Sequence, residues 1–155
     1  MSLSYLVTAA LLAGWQGALF LFLIGLMGKF ILEVVNYMEH YGLVRHPRQP
    51  VMPKHSWNSN RKISNWAMFN LPRHSHHHAQ GGVPFENLQP MQEAPLMISG
   101  YISTIGITLI PPLWFALMKP RLAHWDTHFA NQDELDILER QRVDRSNRHI
   151  LAVFY

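Results

Sequence analysis

Two long stretches without a charged side chain constrain the fold of this sequence most strongly. No Asp, Glu, Lys or Arg occurs from Met1 to Gly28, and none occurs from Leu96 to Met118. A helix needs about 20 apolar residues to cross a hydrocarbon core of roughly 30 Å, so each stretch is long enough to do so. Hydrophobic residues make up 48% of the chain and charged residues 15%. The sequence therefore predicts an all-α, integral membrane helical protein.

The first apolar stretch contains a flexible, polar break. Gly14-Trp15-Gln16-Gly17 interrupts it, and tryptophan suits a membrane interface. We expect residues 1–38 to form a transmembrane helical hairpin, with a truncated first helix at 3–13 and a full span at 17–38. A secretory signal peptide would begin with a positive charge, which MSLSYLVT lacks. Because 3–13 are too few residues to cross alone, we expect a segment before Met1 or another chain to complete this helix.

Basic residues follow both apolar stretches, from Arg45 to Arg73 and from Lys119 to Arg148. If the second stretch crossed the bilayer, one basic set would face the outside, against the positive-inside bias. Pro111-Pro112 would also break a straight spanning helix. The pattern favours a cytoplasmic histidine-box region at 39–95, a re-entrant or interfacial apolar segment at 96–118 and a cytoplasmic polar tail at 119–155. An ordinary, proline-kinked second span is the alternative.

The central region contains the motif RHSHHH at residues 73–78. In a helix, His74, His77 and His78 share one face by their i, i+3, i+4 spacing, whereas His76 points elsewhere. This spacing fits metal ligands, and a solvated histidine cluster is the alternative. The chain has no cysteine, which excludes thiolate ligands, disulfides and iron–sulfur ligation. Imidazole suits zinc, copper, iron and nickel, so the residue types alone do not determine which metal binds.

Polar groups also recur along one face at the end of the predicted span. They are Glu33, Asn36, Glu39 and His40. Ionisable groups at the edge of a span usually face a bundle interior or a functional cavity. A single histidine at a helix C-terminus is also favoured by the helix dipole, so His40 alone would not indicate a site. Together with the cluster at 74–78, His40 becomes a candidate ligand.

The partners of the chain can be narrowed in the same way. No GxGxxG motif or phosphate-binding loop occurs, so we expect a nucleotide cofactor to be bound by another protein. The net charge is +3, and the basic residues lie beside the apolar stretches. This arrangement favours membrane lipid headgroups as partners and argues against nucleic acid.

Several motifs resemble those of one enzyme family. They are NYMEHYGLVR, HSWNSN, FNLPRHSHHHA, the EAP at 93–95 and IPPLWFALMKPRL. Together they resemble the C-terminal half of the membrane-bound non-haem di-iron alkane 1-monooxygenases, which belong to the wider fatty-acid desaturase and hydroxylase group. The tail KPRLAHWDTHFANQDEL is similar to the related xylene and p-cymene methyl-group monooxygenases. The resemblance covers residues 15 to about 137.

The resemblance implies a partial fatty-acid desaturase-like fold, multi-pass in the bacterial inner (cell) membrane, with cytoplasmic histidine boxes. It implies an enzyme that hydroxylates terminal methyl groups of alkanes or alkyl-aromatic hydrocarbons with O2 at two non-haem iron ions. A rubredoxin or ferredoxin-type electron donor and its NAD(P)H reductase would supply the electrons. The implied iron ligands are His40, His74, His77 and His78. Candidates to support these ligands without binding iron are Asn36, Glu39, His55 and Asn58, and a plain loop histidine is the alternative for His55.

The sequence departs from the family at three points. Pro72 removes a backbone donor before the ligand helix, which a helix start tolerates. His76 stands where the family has an aspartate. The family's two upstream histidine boxes have no counterpart before His40, and four imidazoles are too few to hold two irons in the family's manner. We therefore expect an incomplete ligand set, completed by an upstream half of the enzyme. A non-catalytic membrane fragment, or a fatty-acid desaturase or hydroxylase relative, is the alternative.

Overall fold

The computed structural model describes residues 2–140, and this part of the chain is built from helices and loops. Its α-helices are α1 (Leu3–His40), α2 (Lys62–Ala67), α3 (His74–Ala79), α4 (Tyr101–Thr108), α5 (Pro111–His128) and α6 (Gln132–Arg140). Short 3₁₀ turns occupy Pro53–His55 and Phe85–Asn87. The described residues form no strand, and their β-pairing is a single isolated bridge between Asn58 and Leu96. The all-α prediction is confirmed for these residues. The last part of the predicted polar tail, 141–155, lies outside them.

The chain divides into two compact units, Met1–Asn36 and the residues from Tyr37 onward. The first unit consists of α1 up to Asn36, and its leucines are largely exposed, with Leu11 at 82% and Leu12 at 83%. Within the described residues, α1 is the one helix long and apolar enough to cross a membrane, with a mean hydropathy of 2.2. Exposed apolar side chains along such a helix are expected where lipid is the surrounding solvent.

The backbone of α1 is not helical throughout. Ala13 and Gly14 leave helical geometry, and Gly14 has a φ of +67°, a left-handed value that glycine adopts without a Cβ clash. This interruption lies at the first residue of the break that the sequence predicted. The membrane hairpin and its orientation stay predictions.

The second apolar stretch is divided between two helices. α4 ends at Thr108, and α5 begins at Pro111 with prolines in its first turn, where a helix needs no backbone donor. Pro111-Pro112 therefore begins α5, and α4 ends just before it. α5 continues to His128 and so passes the predicted boundary between 118 and 119. Placement of 96–118 at a membrane interface remains a prediction.

Buried aromatic residues form the core of the second unit. Trp57, Trp114, Trp125 and Tyr101 are each at most 2% exposed. The indole of Trp57 donates to the carbonyl of Tyr41, and that of Trp125 donates to the carbonyl of Lys54, both at 2.8 Å. Buried indole N–H groups require such partners. These bonds tie the loops after α1 to the core and hold the segments that carry the histidines.

Candidate metal centre

Three of the predicted ligands converge at one point in the second unit. His40 is the last residue of α1, while His74 and His78 lie one turn apart on α3. Their ligand nitrogens all lie within 4.8 Å of one another. The Nε2 atom of His74 is 2.7 Å from Nε2 of His78 and 3.3 Å from Nε2 of His40. The i, i+4 spacing on α3 therefore presents two imidazoles to the end of α1.

The hydrogen bond on the far side of the His40 ring fixes its tautomer. Nδ1 of His40 is 3.3 Å from the carbonyl oxygen of His55. A carbonyl oxygen can only accept, so Nδ1 carries the hydrogen and Nε2 keeps its lone pair. A backbone carbonyl behind a ligand imidazole is the usual arrangement around metal ions, because it sets the ring's orientation and basicity.

Glu39 brings a carboxylate to the edge of this group. Its Oε2 atom lies 3.4 Å from Nε2 of His74, and its Oε1 atom accepts a 2.6 Å hydrogen bond from the Tyr101 hydroxyl. Both side chains are buried. Tyr101 was not predicted from sequence, since it lies within the charge-free stretch and its partner is 62 residues away.

The neighbouring histidines of the motif occupy other positions. The ring of His77 has its centroid 6.0 Å from those of both His74 and His78, and it is not part of the converging group. His76 accepts the backbone N–H of Gln89 at 2.8 Å through Nδ1, which fixes the loop after α3. Among the four histidines of α3, the structure thus brings two to His40.

The other candidates of the supporting set lie in different segments of the chain. Asn36 belongs to the first unit, four residues before His40. Asn58 donates through its amide to Asn60 at 3.0 Å, and its backbone pairs with Pro95 and Met97. His55 reaches His40 through its backbone carbonyl, as described above, while its ring faces α6. A role of these residues in metal binding remains a prediction.

Desolvation and the neighbouring imidazoles keep the rings of His74 and His78 in their neutral form. Desolvation, together with the neighbouring His78, His40 and His77 rings, lowers the pKa of His74 to about 3. Desolvation and the His40 and His77 rings lower the pKa of His78 to about 4. Both rings are therefore neutral at pH 7 with lone pairs available, which is the form that binds metal ions.

The residues present fit a metal ion bound by imidazole. Two metal–nitrogen bonds of about 2.1 Å place their nitrogens roughly 3 to 3.4 Å apart for octahedral to tetrahedral angles. The 3.3 Å separation of His40 and His74 matches this range, and the 2.7 Å separation of His74 and His78 is shorter. Neutral imidazole ligands suit iron, zinc, copper or nickel. The converging group accounts for one ion.

An apolar helix long enough to cross a membrane, followed by three converging histidines that could hold a metal ion, is typical of helical membrane proteins with a histidine-rich metal site. The sequence profile of the family described as fatty acid desaturase matches residues 1–103. The chain belongs to this family.

Curated relatives carry the resemblance further. The chain is 41% identical over 123 residues to alkane 1-monooxygenase 2 of Alcanivorax borkumensis, which covers 76% of the chain and 32% of that protein. It is 44% identical over 100 residues to alkane 1-monooxygenase of Acinetobacter baylyi, covering 61% of the chain and 24% of that protein. It is 40% identical over 113 residues to the xylene/toluene monooxygenase hydroxylase component of Pseudomonas putida, covering 72% of the chain and 30% of that protein. The predicted resemblance is confirmed, and the chain spans about a third or less of each of these relatives.

The lowered pKa values predict metal binding that tolerates mild acid. Protons compete with a metal only below the pKa of each ligand, so lowering that pKa extends binding to lower pH. We expect the Co²⁺ affinity of the full chain in detergent to change little between pH 7.5 and pH 5.5, since His74 and His78 stay neutral until about pH 4.

A peptide of residues 73–79 provides the control, because its histidines titrate near pH 6.5 and each loses about tenfold in binding per pH unit below that value. An equally steep loss in the full chain would show that its imidazoles are not held neutral.

Proposed function

We propose that this chain supplies part of the di-iron centre of a membrane monooxygenase that hydroxylates terminal methyl groups of alkanes or alkyl-aromatic hydrocarbons. The observation that carries the proposal is the convergence of the Nε2 atoms of His40, His74 and His78. The names of the relatives support hydroxylation over desaturation. His77 would be a fourth ligand.

The reaction combines a hydrocarbon, O2, two electrons and two protons to give an alcohol and water. Iron held by His40, His74 and His78 would supply the activation of O2. The protein residues would hold this chemistry in place. His55 orients His40 through its carbonyl, and Tyr101 fixes the Glu39 carboxylate beside His74. Burial of these groups keeps water away from them. Exclusion of water would prevent side reactions during the oxidation of an apolar substrate.

The electrons would come from a separate protein. The chain has no cysteine for an iron–sulfur centre and no nucleotide-binding motif. We propose a rubredoxin or ferredoxin-type donor with its NAD(P)H reductase as partner. We also propose an inner-membrane, multi-pass location with a cytoplasmic histidine site. An upstream half of the enzyme would bring the ligands that a second iron needs.

A chimera tests this function. This chain would replace the segment that it matches in the Alcanivorax borkumensis relative, and membranes would be supplied with reductase, donor, ¹⁸O2 and either octane or xylene. We expect 1-octanol or methylbenzyl alcohol carrying one ¹⁸O atom, with the unmodified relative as positive control. An iron-loaded chimera that yields no alcohol, or an alkene in its place, would contradict the proposal.

A further inference from the structure

We infer that Glu134 is a positioning residue for the ligand His40 and acts through the ring and backbone carbonyl of His55. Glu134 lies on α6 and is 0% exposed. It is separated by 79 residues from His55. It lies within the motif KPRLAHWDTHFANQDEL, but the sequence alone predicts no role for it. The inference rests on the metal site of the proposed function.

Glu134 contacts two successive residues of the 3₁₀ turn Pro53–His55. Its Oε2 atom is 2.6 Å from Nζ of Lys54, and its Oε1 atom is 2.7 Å from Nε2 of His55. The side chains of Lys54 and His55 are 11% and 1% exposed. Charge-assisted hydrogen bonds between buried groups are short and strongly oriented. Glu134 therefore fixes the side chains of Lys54 and His55 at the same time.

The hydrogen bonds around the His55 ring show which of its two nitrogens carries the hydrogen. The backbone N–H of Met52 donates to Nδ1 of His55 at 3.0 Å, so this nitrogen carries no hydrogen. Nε2 is then the N–H that donates to Glu134. The backbone N–H of His55 in turn donates to the carbonyl of Met52 at 3.0 Å. The ring of His55 is thus held on both sides, by its own turn and by α6.

The same turn contacts both ligand-bearing helices. The carbonyl of His55 accepts from Nδ1 of His40 at the end of α1. The next carbonyl, that of Ser56, accepts from the hydroxyl of Ser75 on α3 at 3.1 Å. Ser75 is the neighbour of His74 in sequence. A shift of the turn would therefore move the acceptor behind His40 and disturb the position of α3.

Two further contacts join the turn to α5. Nζ of Lys54 donates to the carbonyl of Phe129 at 3.2 Å, and the Trp125 indole donates to the carbonyl of Lys54. Removing the Glu134 charge would leave the Lys54 ammonium buried with one neutral acceptor. An uncompensated buried charge is strongly unfavourable, so the turn would rearrange to hydrate it. The His40 ring would then lose its fixed orientation.

Glu134 also caps its own helix, and this second role must be separated from the first. Its Oε2 atom accepts from the backbone N–H of Asn131 at 2.9 Å, and Oδ1 of Asn131 accepts from the N–H of Glu134 at 3.0 Å. Loss of such a cap costs about 1 kcal/mol of stability. Asn131→Ala breaks the cap while leaving the contacts of Glu134 with Lys54 and His55, so it is the matched control.

The experiment measures Co²⁺ affinity and thermal unfolding for the full chain in detergent. Glu134→Gln keeps the volume and an acceptor for His55 but places an amide against Lys54. We expect it to weaken Co²⁺ binding about tenfold, as loss of a group that orients a ligand usually does. Asn131→Ala should lower the unfolding midpoint and leave the affinity within about twofold. Glu139→Ala, at an exposed site on α6, should change neither.

A double-mutant cycle separates positioning of His40 from general stabilisation. In a His40→Ala background, Glu134→Gln should weaken Co²⁺ binding much less than in the parent chain, because the ligand that it positions is gone. Equal losses in both backgrounds, or unchanged affinity in Glu134→Gln alone, would overturn the inference. A parent chain that binds no Co²⁺ would instead refute the metal site of the proposed function.

Discussion

The substitution His74→Ala is expected to reduce the metal affinity of the chain more than about 100-fold, beyond the 10- to 100-fold loss typical of groups that only support a ligand. Nε2 of His74 is the atom that lies near both His78 and His40 and also near Glu39. Its removal leaves two of the three converging imidazoles, those of His40 and His78, and takes away the nitrogen that lies near both of them. Fe²⁺ or Co²⁺ titration under anaerobic conditions measures the loss, and the chimera carrying the substitution should form no alcohol.

Two histidine substitutions serve as controls for this prediction. His76→Asp should keep the metal, since the His76 ring contacts the backbone of Gln89 and lies outside the converging group. His124→Ala alters an exposed histidine of α5 and should also leave the metal affinity unchanged. Equal metal loss in His76→Asp and His74→Ala would show that the converging group is not the binding site.

Gly42→Ala is expected to destabilise the second unit by about 2–5 kcal/mol. Gly42 has a φ of +69°, where a side chain costs about 1–2 kcal/mol. Its Cβ would lie 2.5 Å from Cδ2 of Leu122, a core side chain that is 1% exposed and would have to shift. Overpacking of this kind adds about 1–3 kcal/mol. Guanidinium unfolding followed by tryptophan fluorescence measures the change.

The position of Gly42 gives its substitution a second consequence. It follows His40 by two residues, and the N–H of Leu43 donates back to the carbonyl of His40 at 3.2 Å. Distortion of this turn should therefore lower metal affinity together with stability. Gly82→Ala is the matched control, because a Cβ there meets no atom within 4 Å, and its effect should stay within about 0.5 kcal/mol. A Gly42→Ala chain as stable as the control would contradict the account of this turn.

Local periodicity predicted the α3 part of the site because a helix fixes the directions of nearby side chains. Residues i and i+4 differ by about 40° around a helix, whereas i and i+3 differ by about 60° in the other direction. His40 approaches on the side of His78, which leaves the His77 ring apart. From sequence alone the three histidines of the face were equivalent. The approach of a second helix distinguished them.

The groups that hold the ligands were not predictable in this way. Tyr101 meets Glu39 across 62 residues, and Glu134 meets His55 across 79. Glu134 lies in the predicted polar tail at 119–155, yet it is fully buried. Such contacts depend on the tertiary packing of segments that are far apart in sequence. The local spacing of residues does not predict that packing. The break at Gly14 and the helix start at Pro111, by contrast, follow from the backbone chemistry of glycine and proline.

The central claim is that His40, His74 and His78 bind one metal ion through their Nε2 atoms. Iron K-edge X-ray absorption of the anaerobically iron-loaded full chain tests it most directly, because imidazole rings give a characteristic multiple-scattering signal that can be counted. The account predicts three imidazoles per iron in the parent chain, corresponding to the converging group, and two in the His40→Ala variant. An imidazole count that does not change in His40→Ala, or iron surrounded by oxygen atoms alone, would contradict it.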